Sequence, residues 1–523
     1  MGSLLSSGSV DKLEIMIEEA TRSTDQGVKR FIEPAQGTLS RAVARRPHIV
    51  FGRRGSGKSS LLRKAVADLT VDRRPIAFVD LESFKGHSYP DVLISILIQT
   101  LRRFSEWLDT AAVNPANKTS FWQKVFGAKP KRNPFDRKQT QALSERLKRE
   151  IEDLTQVLLQ QETIETRTRT LATHADQNTA GGGIALGAGT GNSAHLDAKR
   201  TSTTASEQEI SESFTRSKLE LLHRRIIEYQ QIFRDMSALS SGDSYLVLDD
   251  LYHIKRSDQA RVIDYFHRLG KSANLWIKIG TIRHRSTWYL NGDPPIGMKI
   301  GDDADEIDLD LTLERYDQAK AFLLRILRGF FDTAQLAIDE ILTDGALDRL
   351  VLASGGVARD FLNIFRRSIS IARNRKAEPR GSKIGVEDVN EAAGEYDTYK
   401  REELNQDTQD DEAAIEREFS NVRDFCLNSA NANCFLIEKD ARQDLYEKIE
   451  VLTDLRLIHK VRSRVTTSSR PGKIYEAYML DVSQYTASRK KRELEIIAFW
   501  RADSTERLRR VALIYPGREQ KDC

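Results

Sequence analysis

Cysteine is scarce in this chain of 523 residues, where only Cys426, Cys434 and Cys523 occur. Three cysteines cannot form a disulfide framework, and their spacing is not that of metal ligands. The sequence has no run of about 18 apolar residues, and its N-terminus lacks the charged-then-apolar pattern of a secretion signal. These absences argue against secretion and membrane spanning, so we expect a cytoplasmic protein without a membrane span.

A strong net charge is also missing. Lys and Arg total 81 against 77 Asp and Glu, which leaves a net charge of +4. Such a small excess does not by itself indicate a nucleic-acid or membrane binder, so only local basic patches can support that function. The 39% hydrophobic and 30% charged residues are ordinary for a globular protein. A chain of this length typically forms roughly two to four domains.

One strong motif follows a short apolar run. Residues 48–60 read HIVFGRRGSGKSS, which satisfies G-x-x-x-x-G-K-S/T between a predicted strand and a predicted helix. In such a loop, glycines let backbone N–H groups surround a β-phosphate, Lys58 reaches the β- and γ-phosphates, and the Ser59 hydroxyl binds Mg²⁺. The motif therefore predicts a nucleoside triphosphate site. Its predicted contacts are Gly52, Arg53, Arg54, Gly55, Ser56, Gly57, Lys58, Ser59 and Ser60.

A second apolar run, residues 244–248, ends in Asp249 and Asp250. We predict a buried strand there, with Asp249 as a ligand of Mg²⁺. Asp250 would orient or deprotonate the attacking water, because phosphoryl transfer depends mainly on positioning. The alternative is an ordinary sheet strand that ends in a solvated Asp-Asp turn.

Two later segments offer residues that sense the nucleotide. Thr281 and Arg283 lie at the end of another apolar run, followed by Arg285. Either arginine would contact the γ-phosphate in cis or serve a neighbouring subunit as an arginine finger, unless both are ordinary surface residues. Arg359 follows a Gly-Gly pair in the first turn of a predicted helix. It either points back at the nucleotide or merely follows a tight turn.

Taken in order, these features resemble the P-loop ATPases of the AAA+ and STAND (signal-transduction ATPase) superclass, particularly the origin-recognition and initiator type. Residues 52–59 match Walker A and residues 246–250 match Walker B. Residues 281–283 resemble the Thr-x-Arg sensor of STAND proteins, and residues 356–359 occupy the place of the AAA+ sensor 2. Two departures are the Asp-Asp end of Walker B, where AAA+ proteins usually have Asp-Glu, and Ala358, where many STAND relatives have proline.

The resemblance implies an α/β fold class. It predicts a P-loop parallel sheet with helices on both faces, an all-helical lid and a winged-helix domain. The 191 residues between Lys58 and Asp249 far exceed the ~60 that the intervening core elements need, so a long helical insertion is expected. The predicted domains are an N-terminal helical segment (1–36), the ATPase core (37–112 and 216–312), the insertion (113–215), the lid (313–404), the winged helix (412–486) and a C-terminal helical tail (487–523).

The insertion has the pattern of a helical hairpin with a glycine-rich tip. Leucines and an isoleucine recur at three- and four-residue steps through residues 143–158, and a glycine-rich stretch occupies residues 181–191. Three interpretations remain open: a surface helix pair with a disordered loop, a contact with another subunit or partner, and a tip that touches a membrane.

The predicted winged helix carries a basic wing rich in Ser and Thr. Basic residues there would neutralise nucleic-acid phosphates without reading bases. In STAND switches the same module is structural, so both interpretations remain open. The candidate contacts are Lys460, Arg462, Arg464, Arg470 and Lys473.

The functional prediction is an ATPase that uses ATP and Mg²⁺ and couples their binding to self-association and to DNA or a partner. Its predicted catalytic residues are Lys58, Asp250 and Arg283, with Thr281 and Arg359 as nucleotide contacts. The alternative is a non-cycling signalling or defence switch with a structural winged helix. A further alternative is a nucleic-acid-binding protein that holds ATP as a structural ligand. The sequence has no appended nuclease, protease or deaminase signature, so any effector is expected to be a separate protein.

Overall fold

The computed structural model describes most of the chain. The described residues are 4–21, 30–71, 73–109, 135–179, 217–240, 242–375, 381–407, 412–440, 443–501, 504 and 506–517. The basic sequence Lys-Pro-Lys-Arg at 129–132 and the glycine-rich stretch at 181–191 lie outside them. Among the described helices, none is long and apolar enough to cross a membrane.

A five-stranded sheet forms the centre of the predicted ATPase core, in the order β2-β3-β4-β1-β7. Every neighbouring pair is parallel. The apolar runs of β1, β3 and β4 give strands that are buried on both faces, as the centre of a parallel sheet requires, whereas the edge strand β7 is acidic and largely exposed. The predicted α/β class with a parallel sheet is confirmed, and the sheet fits a P-loop fold. The strands are β1 (His48–Phe51), β2 (Ile76–Asp80), β3 (Ser244–Asp249), β4 (Leu275–Thr281) and β7 (Asp305–Asp308).

Four helices accompany this sheet: α2 (Thr38–Ala42), α3 (Lys58–Val71), α4 (Asp91–Trp107) and α7 (Arg256–Lys271). A small hairpin of β5 (Tyr289–Leu290) and β6 (Ile296–Gly297) precedes the edge strand β7. Because β1 and β3 are separated only by β4, the loop after β1 and the residues after β3 reach the same edge of the sheet.

The insertion contains a long helix, α5 (Arg137–Thr179), and a second helix, α6, at 217–238. Their inner faces bury apolar side chains, including Leu147 and Phe233, in the same core cluster as the sheet. Arg225 on α6 pairs with Glu150 at 3.1 Å and with Asp153 at 3.0 Å on α5. The base of the insertion is therefore packed onto the core, and the glycine-rich tip stays a prediction.

Five helices follow the sheet: α8 (Tyr316–Ala334), α9 (Ile338–Ile341), α10 (Asp344–Ser354), α11 (Ala358–Asn374) and α12 (Val386–Asp407). The last of them continues past the predicted lid end at 404. The N-terminal helix α1 (Gly8–Ala20) packs on α8 and α11, where Arg373 pairs with Asp11 at 2.8 Å and Glu14 at 2.6 Å. The N-terminal segment thus belongs structurally to the lid.

The last domain has a three-stranded antiparallel sheet in the order β8-β10-β9. Its elements are β8 (Cys434–Glu438), β9 (Ile458–Val465), β10 (Tyr475–Leu480), α13 (Glu412–Asp424), a π-helical turn (Phe425–Ser429) and α14 (Gln443–Asp454). Strand β9 extends to Val465, so Arg462 and Arg464 lie on a strand and not in the wing loop where the sequence placed them.

The C-terminal tail differs from its prediction as a helical segment. Its described part has only three-residue 3-10 turns, at Ala487–Arg489, Arg507–Arg509 and Val511–Leu513. Within this part of the tail the backbone bonds only across short turns, and other backbone groups bond to the winged-helix domain: the Asn433 N–H donates to the Glu495 carbonyl at 3.2 Å, and the Tyr515 N–H donates to the Leu436 carbonyl at 2.9 Å. These bonds use backbone N–H and C=O groups that would bond to one another in a continuous helix.

Candidate functional site

The loop after β1 has the backbone shape that its glycines predict. Gly55 and Gly57 have φ angles of +86° and +100°, in the left-handed region that favours glycine. A Cβ on Gly55 would also lie 2.8 Å from the Cβ of Arg359 on the lid. The loop is therefore curled as a phosphate cradle requires, and one lid residue packs directly against it.

Lys58 begins helix α3 and is 5% exposed. Its ammonium donates to the carbonyl of Gly52 at 2.8 Å and to that of Arg53 at 3.3 Å. Burial lowers the pKa of Lys58, an effect that Asp250 and Asp249 oppose. The lysine charge is thus held inside the loop and near the two acidic residues that the sequence paired with it.

The acidic pair lies at the carboxyl end of β3, where Asp249 is 3% exposed. Burial raises the pKa of Asp249 to about 7, and the neighbouring charge of Asp250 adds to the effect. The Ser59 hydroxyl hydrogen-bonds to the Asp249 carboxylate, and the Asp250 N–H donates to Asp249 Oδ1 at 3.0 Å. Burial likewise raises the pKa of Asp250.

This donor set fits Mg²⁺. A buried carboxylate and a hydroxyl already in contact are oxygen ligands of the kind that the ion prefers, and the raised carboxylate pKa values mean that the charged forms are disfavoured here unless a cation offsets their burial and mutual repulsion. Ser59 and Asp249 are the residues that would hold the ion. The sequence predicted this pair across 190 positions because each residue ends a recognisable local pattern.

A cleft of about 280 Å³ opens beside the loop. Its polar end is formed by loop residues 54–60 together with Glu82, Asp250 and His253. Its other end is largely apolar and lies between the lid and the N-terminal segment. The apolar side chains there include Phe31, Ile32, Leu309, Phe322, Ile326, Phe330 and Leu362.

Sequence analysis missed the N-terminal part of this cleft. Residues 30–34 line it, and the Arg30 guanidinium carbon lies 5.6 Å from the centre of the Phe330 ring. The adjacent apolar pair Phe31-Ile32 shortly before the loop is the signal that was available. Apolar side chains in one part of the cleft and the phosphate loop in another suit a nucleotide, whose base is apolar and whose phosphates are charged.

Arg359 is brought to the cleft by the start of α11. Its N–H donates to the Gly55 carbonyl at 3.4 Å, and Arg359 is one of the residues that line the cleft. Its charge is one of the influences that lower the pKa of Lys58. A lid cation therefore lies beside the loop, and its contact with the nucleotide stays a prediction.

Among the predicted nucleotide and metal residues, Gly52, Arg53 and Asp249 do not line the cleft, and neither do Thr281, Arg283 and Arg285. The Thr281 hydroxyl is buried and hydrogen-bonds to the Ser286 hydroxyl. Arg283 lies over the Phe51 ring at 3.9 Å and pairs with Glu306 at 3.0 Å. The Arg285 carbonyl accepts a bond from Gln259 at 3.2 Å. In this arrangement Arg283 faces the edge strand, and sensing of the γ-phosphate stays a prediction for these residues.

The basic residues predicted for the wing are partly neutralised. Lys460 pairs with Glu476 at 2.6 Å, and Lys473 pairs with Glu438. Arg462 is half-buried, whereas Arg464 and Arg470 are exposed. The paired lysines contribute less to a phosphate-binding surface than the sequence suggested, so the two exposed arginines are the stronger candidates.

Comparison with known proteins adds no further evidence on fold or function. No family model matches this sequence, and no curated protein matches it. Among solved structures, the structure of the Aeropyrum pernix ORC1 protein in complex with DNA aligns with the chain at 12% identity and a TM-score of 0.34. The alignment covers 87% of this chain and 91% of that one. This overlap is too loose to support a function, which has to be inferred from the site itself.

Proposed function

We propose that this chain binds Mg-ATP in the cleft and hydrolyses it. One observation carries the proposal: Lys58 and Ser59 meet the acidic pair of β3 at one edge of a parallel sheet, although 191 residues separate Lys58 from Asp249. If the two motifs occurred in one chain only by chance, Lys58 would not be expected to lie buried within electrostatic range of Asp249 and Asp250. The adjoining cleft has room for a nucleotide base.

Each residue of the site has its own proposed role in binding or hydrolysis. Backbone N–H groups of the loop bind the phosphates, and Lys58 adds a positive charge. Ser59 and Asp249 hold Mg²⁺, which supplies charge stabilisation to the phosphates when bound. Asp250 accepts a hydrogen bond from the attacking water and orients it. Arg359 contacts the nucleotide from the lid, and Arg283 senses the γ-phosphate after a rearrangement that frees it from Glu306.

The test compares ATP binding and hydrolysis in the wild type with Lys58→Ala and Asp250→Asn. Lys58→Ala should lose binding, whereas Asp250→Asn should retain it and lose roughly 10²–10⁴-fold in turnover, the usual contribution of a general base. Lys64→Ala is the matched control, because Lys64 lies on the same helix and pairs with Asp68 at 2.7 Å. Equal hydrolysis rates in the wild type and Lys58→Ala would contradict the proposal that this cleft hydrolyses ATP.

We further propose membership of the AAA+ and STAND superclass, with nucleotide-dependent self-association and contact of the winged helix with DNA phosphates. The exposed Arg464 and Arg470 would carry this contact, and a separate effector protein is a further candidate partner. The test measures duplex DNA affinity over a range of salt concentrations. In a plot of log affinity against log salt concentration, the double variant Arg464→Ala, Arg470→Ala should have a slope that is less steep than that of the wild type by about 2. Absence of binding at low salt contradicts the DNA contact. Size-exclusion mass with and without ATP tests self-association.

A second candidate is a nucleotide-held switch with very slow turnover. The observation that favours it is the buried contact between the winged-helix domain and the phosphate loop, which ties the two together: Arg456 donates to the Arg54 carbonyl at 3.0 Å. Nucleotide that stays bound through purification supports the switch. Turnover near ~1 s⁻¹ or faster, ordinary for enzymes, contradicts it.

A further inference from the structure

We propose that Arg456 of the winged-helix domain is a positioning residue for the phosphate loop, so that docking of this domain and nucleotide binding are coupled. This inference rests on the proposed nucleotide binding. It concerns a residue that lies outside the P-loop core and that no sequence motif singled out.

Arg456 lies in the turn between α14 and β9 and is 1% exposed. Its Nη1 donates to the Arg54 carbonyl at 3.0 Å and to Asp360 Oδ1 at 3.3 Å. The Arg54 carbonyl belongs to the phosphate loop, and Asp360 follows the cleft residue Arg359. One guanidinium thus joins the winged helix, the loop and the lid.

The bond to Arg54 fixes the orientation of a peptide group. In a trans peptide the C=O of one residue and the N–H of the next point in opposite directions. Because the Arg54 carbonyl faces Arg456, the Gly55 N–H points away from it. Gly55 lines the cleft and Arg456 does not. Arg456 therefore keeps a carbonyl oxygen away from the site where phosphate oxygens would repel it, and leaves the N–H available for binding.

The Arg456 contact belongs to a buried charge network. Asp360 is 0% exposed and also accepts from the Tyr396 hydroxyl at 3.1 Å. Lys400 donates to the Arg456 carbonyl at 3.2 Å and to Asp481 at 2.7 Å. A buried charge that loses its partner is strongly unfavourable, so partial undocking is disfavoured and the network favours two discrete arrangements.

Coupling then follows from linkage. If the docked domain holds the loop in its binding shape, nucleotide must favour the docked domain by the same factor. Replacing Arg456 should therefore weaken nucleotide binding, and it should also remove the effect of nucleotide on the winged helix. A residue that only stabilises the fold would not produce the second effect.

The experiment measures fluorescent ATP and ADP affinity on the full chain for the wild type, Arg456→Gln and Arg456→Lys. We expect about tenfold weaker binding for Arg456→Gln, within the usual range of coupling. Arg456→Lys keeps the positive charge opposite Asp360, so it should fold and show an intermediate affinity. Glu314→Ala is the control, because Glu314 accepts from the Ser463 N–H at 2.9 Å and so joins the lid to the winged helix, as Arg456 does, without touching the loop. Its affinity should stay within about twofold of the wild type.

Hydrogen exchange on the same proteins gives the second readout. In the wild type, nucleotide should slow exchange both at residues 52–59 and at residues 455–461. In Arg456→Gln the slowing should persist at 52–59 and disappear at 455–461. If neither variant folds, the wild-type exchange decides, because absence of nucleotide-dependent protection at 455–461 overturns the coupling.

The outcomes separate this inference from the proposed function. A wild type that binds no nucleotide overturns the proposed function. A wild type that binds, with Arg456→Gln and Arg456→Lys binding equally well, overturns only the role of Arg456.

Discussion

Single residues of the loop are constrained by both backbone and neighbours. Gly55 has a φ of +86°, and a side chain there would meet Arg359. Gly86 has a similar φ of +88°, but a Cβ added there would meet nothing within 4 Å. Alanine variants of the two glycines therefore distinguish the effect of backbone strain, which both have, from the effect of a disturbed contact between the loop and the lid, which only Gly55→Ala has.

Gly55→Ala should abolish or severely weaken ATP binding, because the added methyl pushes either the loop or Arg359 out of place. Gly86→Ala should cost only the strain of an unfavourable φ, on the order of 1–3 kcal/mol, and should leave ATP affinity unchanged. Thermal unfolding and nucleotide titration of both variants make the comparison. If the two lose affinity equally, contact with Arg359 has no part in binding.

The site could be predicted where a residue belongs to a local pattern, and not where it depends on docking. Lys58 and Asp249 each end a strand–loop motif that can be read in a few residues. Arg456 and its acceptor Arg54 are 402 positions apart, and no periodicity links them. Arg30 lines the cleft only because α1 packs on the lid, a tertiary contact that the sequence pattern does not encode.

At the level of elements, the insertion is anchored by a seam, the row of buried leucines along one face of α5. Leu143, Leu147 and Leu154 are at most 5% exposed, and α4 of the core packs on α5. The seam was predictable because a helix repeats its buried face every three or four residues. The tail was not, because its order comes from bonds to another domain, such as that between Tyr515 and Leu436.

Leu147→Ala should lower the free energy of unfolding by about 2–5 kcal/mol, the usual cost of truncating a fully buried leucine. Leu147 is 0% exposed, whereas Ile227 on α6 is 67% exposed, so Ile227→Ala serves as the control and should change stability little. Urea denaturation of both variants checks the difference. Equal destabilisation by the two changes would show that this seam does not anchor the helix pair to the core.

At the scale of the whole molecule, polar contacts hold the winged helix against the core and the lid. His284, just after β4, pairs with Glu450 of α14 at 2.7 Å. The Ser463 N–H adds a bond to Glu314. In this docked arrangement part of α14 faces the core, so exposing all of that helix to a partner requires the domains to separate.

The pair of His284 and Glu450 predicts a pH dependence of docking. Burial lowers the pKa of His284, but the hydrogen bond that its imidazolium donates to Glu450 and the charges of Asp454 and Glu450 outweigh it, so the pKa is raised above 6.5. The pKa of Glu450 is lowered below 4.5, because His284 and Lys460 outweigh its burial. The histidine contribution is therefore complete below pH 6.5 and disappears as the pH rises through the raised pKa, whereas the Glu450 contribution is complete above pH 4.5.

His284→Gln removes this titration and leaves the other groups in place. The difference in melting temperature between the wild type and His284→Gln should be largest at about pH 6 and shrink by about pH 9, where the imidazole is neutral in both the docked and undocked states. Taking the difference matters because other groups, such as the buried His459, titrate in both proteins; burial lowers the pKa of His459, so its own contribution has the opposite sign. A melting-temperature difference that stays constant or grows with pH would show that the His284 charge does not hold the winged helix to the core.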